Sequence, residues 1–68
     1  MKNRLQHYVG RMVALRQATF RRLAEKAARS GEILENRFIV SAVNRGMQLI
    51  CYGGSLCVTV PASEIVLV

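Results

Sequence analysis

Basic side chains recur along the first 31 residues at a density that points to binding of anions. This segment carries eight Lys and Arg residues against one acid, Glu25, for a net charge of +7, whereas residues 32–68 carry two Arg and three Glu. Guanidinium and ammonium groups neutralise phosphates and carboxylates. The first half therefore predicts an anionic partner, which is a nucleic acid, a membrane surface or an acidic protein.

The spacing of these cations fits one edge of a helix. At 100° per residue, four of the arginines fall within about 20° of one another, and a lysine lies beside them. Such a line tracks a phosphate backbone and positions the protein rather than reading bases. The predicted nucleic-acid-binding residues are Arg4, Arg11, Arg21, Arg22, Lys26 and Arg29.

Catalytic chemistry is not predicted. A nucleophile needs an adjacent base and a third orienting group, but His7 is the only histidine, no carboxylate is near it in sequence, and the chain has no Asp. Cys51 and Cys57 lie far from His7, so we expect no metal site. Gly53-Gly54 lacks the Lys and the following helix of a phosphate-binding loop, so no cofactor is expected.

The sequence predicts that a helix from about Asn3 to Ser30 carries these cations. Residues 1–31 then form the basic helical part of the chain. Asn3 and Gln6 fit a capping box, and Gly31 stands where a left-handed C-cap belongs. Gly10 is the weakest helical position. An arc of about 120° forms the face toward the core. It holds Leu5, Tyr8, Val9, Met12, Thr19, Phe20, Leu23 and Ala27.

Arg16 points into that apolar arc. Two interpretations are open, an exposed side chain whose stem covers the core edge, or a buried partner such as Glu64 or the C-terminal carboxylate. We favour the first.

Residues 32–68 predict a small antiparallel β-meander of three or four strands. β-branched and aromatic runs alternate with turn signals. The predicted strands are Phe38–Val43, Met47–Tyr52, Ser55–Val60 and Glu64–Val68, and Asn44-Arg45-Gly46 forms the first turn.

A two-residue Gly53-Gly54 loop sets the predicted hairpin register, in which Tyr52 faces Ser55. Cys51 and Cys57 then point to opposite faces and do not form a disulfide. One face is apolar throughout and predicts the core side. It holds Met47, Leu49, Cys51, Leu56, Val58 and Val60, and a two-residue first turn adds Phe38, Val40 and Ala42.

The whole chain predicts a single α+β domain, residues 1–68, with the helix packed on the meander. A chain of this length buries only about 60% of the surface that its unfolded form exposes, so we expect homo-oligomerisation. No apolar run is long enough to span a membrane, and the cytoplasm is the default compartment.

The run Val60-Pro61-Ala62-Ser63-Glu64-Ile65-Val66 resembles the last turn and strand of SH3-like barrels, where a Pro-containing helical turn precedes the closing strand. A helix before a bent sheet also resembles the Sm-like variant. The chain has no Trp and no acidic loop, so this resemblance does not imply proline-rich ligands. Because few residues follow Gly31, it implies a partial barrel.

The sequence thus favours a non-catalytic regulatory module that binds nucleic acid through its basic helix. The alternative is a protein-interaction module, such as a small inhibitor encoded by a phage or plasmid, that docks through the helix or through an apolar last strand. Exposed strand edges invite pairing with another chain, and the predicted edge residues are Ile65, Val66, Leu67 and Val68. An interfacial membrane helix is a third possibility.

Overall fold

The structure, a computed structural model, describes residues 4–68. It has one α-helix and a five-stranded antiparallel sheet, which confirms the α+β class. A 3-10 helix, Arg4–Tyr8, precedes strand β1, and a second, Ala62–Glu64, precedes the last strand. The remaining elements are β1 Met12–Leu15, α1 Gln17–Arg29, β2 Phe38–Val43, β3 Gln48–Gly53, β4 Leu56–Pro61 and β5 Ile65–Leu67. None of the helices within residues 4–68 has the length and the apolar character that crossing a membrane requires.

The helix is shorter than the sequence predicted, because a strand occupies the place of its middle turns. Gly10, which follows the first 3-10 helix, adopts a left-handed φ of +85°. Arg16 has an extended backbone. Between them Val13 and Leu15 are buried. Their burial contributes about 3–6 kcal/mol together, compared with a few tenths of a kcal/mol per residue of helix propensity. The prediction of one helix from Asn3 to Ser30 is therefore wrong before Gln17, and Asn3 itself lies outside the described residues.

Strand β1 lies inside the sheet, between β2 and β5. The strand order is β4-β3-β2-β1-β5, and the sheet does not close into a barrel. β1 pairs with β2 through Met12 and Ile39, and with β5 through Val13 and Leu67. The predicted meander of three or four strands lacked this fifth strand, because the sequence placed every strand after the helix.

The β3–β4 hairpin turns one residue later than predicted. Gly53 pairs with Leu56, so the loop is Gly54-Ser55, and Tyr52 faces Cys57 instead of Ser55. Position 53 requires glycine, because a Cβ there would overlap the ring of Phe38 and approach the carbonyl oxygen of Arg37 at 2.9 Å. The shift keeps the same side chains on the core face, since it moves each pairing by two residues.

A β-bulge in β2 changes which residue follows Val40 into the core. The register shifts between Val40 and Ala42, so that Val43 pairs with Leu49 and packs against the core. The prediction that Ala42 faces the core is wrong for this reason, because the extra residue, Ser41, reverses the alternation. Met47, also predicted on the core face, lies in the turn and is 51% exposed.

One face of the sheet carries the core, and we call it the inner face. Its buried residues are Val13, Leu15, Phe38, Val40, Leu49, Cys51, Val60 and Ile65. Leu5 and Tyr8 of the first 3-10 helix, Phe20 and Leu23 of α1, and Leu34 of the α1–β2 loop pack against them. Helix α1 therefore lies on the inner face, and the opposite side is the outer face.

The end of α1 confirms the predicted cap. Gly31 has a φ of +78°, its N–H donates to the carbonyl of Ala28 at 3.0 Å, and the N–H of Glu32 donates to the carbonyl of Ala27 at 3.0 Å. This is the Schellman arrangement, in which a left-handed residue without a side chain satisfies the last carbonyls of the helix.

Candidate functional site

The exposed cations of α1 form the candidate site, and we call them the α1 cationic cluster. They are Arg21, Arg22, Lys26 and Arg29, all exposed. Glu25 is the only acid within Gln17–Arg29, so the helix carries a net charge of +3. Spacings of four and three residues place Arg22, Lys26 and Arg29 on one side of the helix, and Arg21 lies about 100° from Arg22.

These four side chains are not engaged within the protein. In the part of the chain that the structure describes, none of them has a hydrogen bond or an ion pair. Lys26 and Arg29 lie in the last turn of α1, where cations interact favourably with the helix dipole. That interaction accounts for their position but leaves their charges open to solvent and to a partner.

A groove runs between α1 and strand β4, and two members of the cluster flank it. Its larger part, of about 380 Å³, is lined by Arg22 and Leu23 from the helix and by Val58, among others. Its smaller part, of about 200 Å³, is lined by Lys26 and Glu32 as well as by apolar side chains. The site is thus an apolar groove with cationic groups on the helix side.

The continuous basic line that the sequence predicted is interrupted. Arg22 and Arg29 share α1, but Arg11 directly precedes β1, and its carbonyl accepts a hydrogen bond from Val40 N at 3.1 Å. Arg11 is exposed but belongs to a different element, because the chain between Gly10 and Arg16 is extended. The side chain of Arg4 lies outside the described residues.

Three contacts anchor the start of α1 to the second 3-10 helix. Arg16 N donates to the carbonyl of Glu64 at 2.9 Å, and Arg16 Nε donates to the carbonyl of Ser63. The carboxylate of Glu64 accepts a hydrogen bond from the hydroxyl of Thr19. Arg16 is exposed, which agrees with the favoured interpretation. The less favoured alternative named the Glu64 carboxylate as a buried partner, but the side chain of Arg16 binds the carbonyl of Ser63, and the carboxylate accepts from Thr19.

β5 lies at an edge of the sheet, and binding of a partner at Ile65, Val66, Leu67 and Val68 stays a prediction. Among the strands within residues 4–68, β5 pairs with β1 only, so no described strand covers its other side. Val66 and Leu67 are each 48% exposed and Val68 is 73% exposed, whereas Ile65 is buried in the core. Ile65 is therefore a core residue rather than part of an accessible surface.

The outer face of the sheet is a surface that the sequence did not predict. Its pairings form a row across four strands, from Met12 to Ile39, to Tyr52 and to Cys57. Met12, Ile39 and Tyr52 are 42–52% exposed. The sequence placed Met12 on a helix, so the row was not visible as a set. The only signal was that Tyr52 and Cys57 share the mixed face of the hairpin.

The thiols and the exposed tyrosine differ in environment. Burial raises the pKa of the Cys51 thiol, with a smaller contribution from Cys57. A side-chain hydrogen bond with Cys57 raises the pKa of Tyr52, and the two residues are paired across β3 and β4. Both cysteines are free, as predicted. Among the described residues, His, Cys, Asp and Glu form no group of three that would hold a metal ion.

Comparisons with protein families, with curated proteins and with solved structures find no match for this chain.

Proposed function

We propose that this chain is a non-catalytic module that binds nucleic acid by its phosphate backbone through the α1 cationic cluster. The observation that carries the proposal is that Arg21, Arg22, Lys26 and Arg29 are exposed and unpaired within the described residues. Four unpaired cations on one short helix create a positive surface that attracts polyanions. Backbone contacts of this kind give affinity without base specificity.

The groove beside α1 supports the same proposal. Arg22 and Lys26 flank it, and its floor contains Leu23 and Val58. A phosphate chain along the helix side contacts both cations while its sugars or bases face the apolar floor. Because the interaction is mainly electrostatic, we expect its affinity to fall steeply as the salt concentration rises.

The test measures binding of a labelled DNA duplex by fluorescence anisotropy as salt is raised. Four phosphate contacts predict a log–log slope of about −3.6, and a rise from about 50 to about 200 mM salt weakens binding about 150-fold. The double substitution Arg22→Glu with Lys26→Glu reduces the slope by about two and weakens binding at every salt concentration.

A matched control is Arg45→Glu, which reverses an exposed charge in the β2–β3 turn rather than on α1. We expect one such reversal to weaken binding far less than either Arg22→Glu or Lys26→Glu alone. Binding that does not depend on salt, or an equal loss in Arg45→Glu, contradicts the proposal. Far-ultraviolet circular dichroism checks that each variant is folded.

We also propose that the fold is related to the SH3-like barrels. This proposal rests on the 3-10 turn that follows Pro61 and precedes the last strand, whereas the sheet is not closed into a barrel. The position of α1 between β1 and β2 departs from the Sm-like arrangement, in which a helix precedes the sheet. The alternative role, protein interaction through the edge at residues 65–68, and the cytoplasmic location stay predictions.

A further inference from the structure

The strands of the sheet bring no charged side chain to its outer face. None of the five strands contains a charged residue. The row of Met12, Ile39, Tyr52 and Cys57 crosses the middle of this face, and each of the four is exposed. Outer faces of one-sided antiparallel sheets ordinarily carry polar side chains, so an uncharged, half-apolar outer face indicates contact with another surface.

We propose that this face binds the same face of a second copy of the chain. The strands give a polyanion no cation to pair with, which disfavours nucleic acid here. A charged protein surface is disfavoured too, because it would bury charges without partners. The outer face of a second copy has the matching composition. A two-fold axis through the row sets apolar side chains against apolar side chains at each position.

The positions of the cations permit this pairing despite a net charge of +6 per chain. The α1 cationic cluster lies on the inner-face side, because Phe20 and Leu23 of the same helix pack on the core. In a face-to-face pair the two helices lie on the outside, roughly 30 Å apart if each packed layer adds ~10 Å. That distance is several Debye lengths at physiological salt, so the repulsion is screened.

The size of the face sets the strength to expect. Neighbouring strands lie about 4.8 Å apart and rise about 3.3 Å per residue, so five short strands present a footprint of roughly 300–400 Å². This is below the roughly 800 Å² per partner of a standard interface. We therefore expect a reversible dimer that forms at micromolar or higher concentration, with Tyr52 as its main contact, since tyrosine is enriched in interface cores.

Sedimentation equilibrium over a concentration series tests the proposal. We expect the mean mass to rise from that of one chain, 7.6 kDa, toward twice that value. Tyr52→Arg and Ile39→Arg each raise the dissociation constant by about tenfold or more, because they place a charge in the interface. Tyr52→Ser removes the ring without adding charge, and serves if an arginine variant does not fold. Circular dichroism checks the folding of each.

The matched control is Ala18→Arg, which adds the same charge at an exposed position of α1. It leaves the dissociation constant within about twofold of the original. The proposal is overturned if the chain is a monomer at all concentrations, if the dimer persists in folded Tyr52→Arg and Ile39→Arg, or if Ala18→Arg disrupts it equally. None of these outcomes depends on nucleic-acid binding.

Discussion

The side-chain amide of Asn36 forms two hydrogen bonds with the backbone of Leu15. Its Oδ1 accepts from Leu15 N at 2.8 Å, and its Nδ2 donates to the Leu15 carbonyl at 2.9 Å. The amide thus satisfies both backbone groups of the residue at which β1 ends. Leu15 is buried, so these groups have little access to water as a substitute.

Replacing Asn36 is expected to destabilise the fold. In Asn36→Ala both backbone groups of Leu15 lose their partner, and each loss costs about 1–3 kcal/mol where water does not replace it. We expect the free energy of unfolding in urea to fall by about 2 kcal/mol or more. Asn36→Asp keeps an acceptor for the N–H of Leu15 but loses the donor. An unchanged urea midpoint in Asn36→Ala contradicts this account.

The contact between Gly53 and Phe38 gives a second prediction. Gly53→Ala places a methyl group into the Phe38 ring and near a backbone oxygen, and overpacking of this kind costs about 1–3 kcal/mol. We expect a lower thermal midpoint. Gly46→Ala is the control, because its nearest atom would be the Asn44 Oδ1 at 3.5 Å. An equal fall in the thermal midpoint at the two glycines would contradict a specific role for the Phe38 ring.

The two thiols predict different reactivity. Cys51 is buried and its raised pKa disfavours the thiolate, which is the reactive form. Cys57 is exposed. In dilute protein at neutral pH, a thiol reagent is expected to modify one cysteine rapidly and the second only after unfolding in denaturant. Cys57→Ser removes the rapid phase and Cys51→Ala leaves it. Two rapid modifications in the native protein contradict the assigned burial of Cys51.

The sequence predicted correctly those features of the fold that depend on neighbouring residues. Gly31 and the residues before it identified the end of α1, because a left-handed cap is a property of a few neighbouring residues. The apolar alternation of Leu49 and Cys51 identified the inner face. This assignment is correct although the hairpin loop lies one residue later than predicted. The shift itself was not predictable, because Gly53 lies in the strand against the ring of Phe38, which is distant in sequence.

Strand β1 was missed because a four-residue strand gives a weak periodic signal. Met12 and Val9 fitted the helical arc with Leu5 and Tyr8, and no local feature distinguished that interpretation from a strand. What favours the strand is pairing with β2 and β5, which lie more than twenty residues away. The same error placed Arg11 on the helix with the other predicted binding residues. The predicted residues that do lie on α1 were placed correctly, because a helix from Gln17 to Arg29 is long enough to carry them.

The position of β1 also has a consequence for how the chain folds. Val13 pairs with Leu67, so the ladder at this edge of the sheet joins segments from opposite ends of the described chain. Such distant partners must find each other before the ladder stabilises them, and the entropy of closing a long loop slows that encounter. The β2–β3–β4 hairpins involve short loops and are expected to form earlier, leaving docking of the two terminal strands as the slow event in refolding.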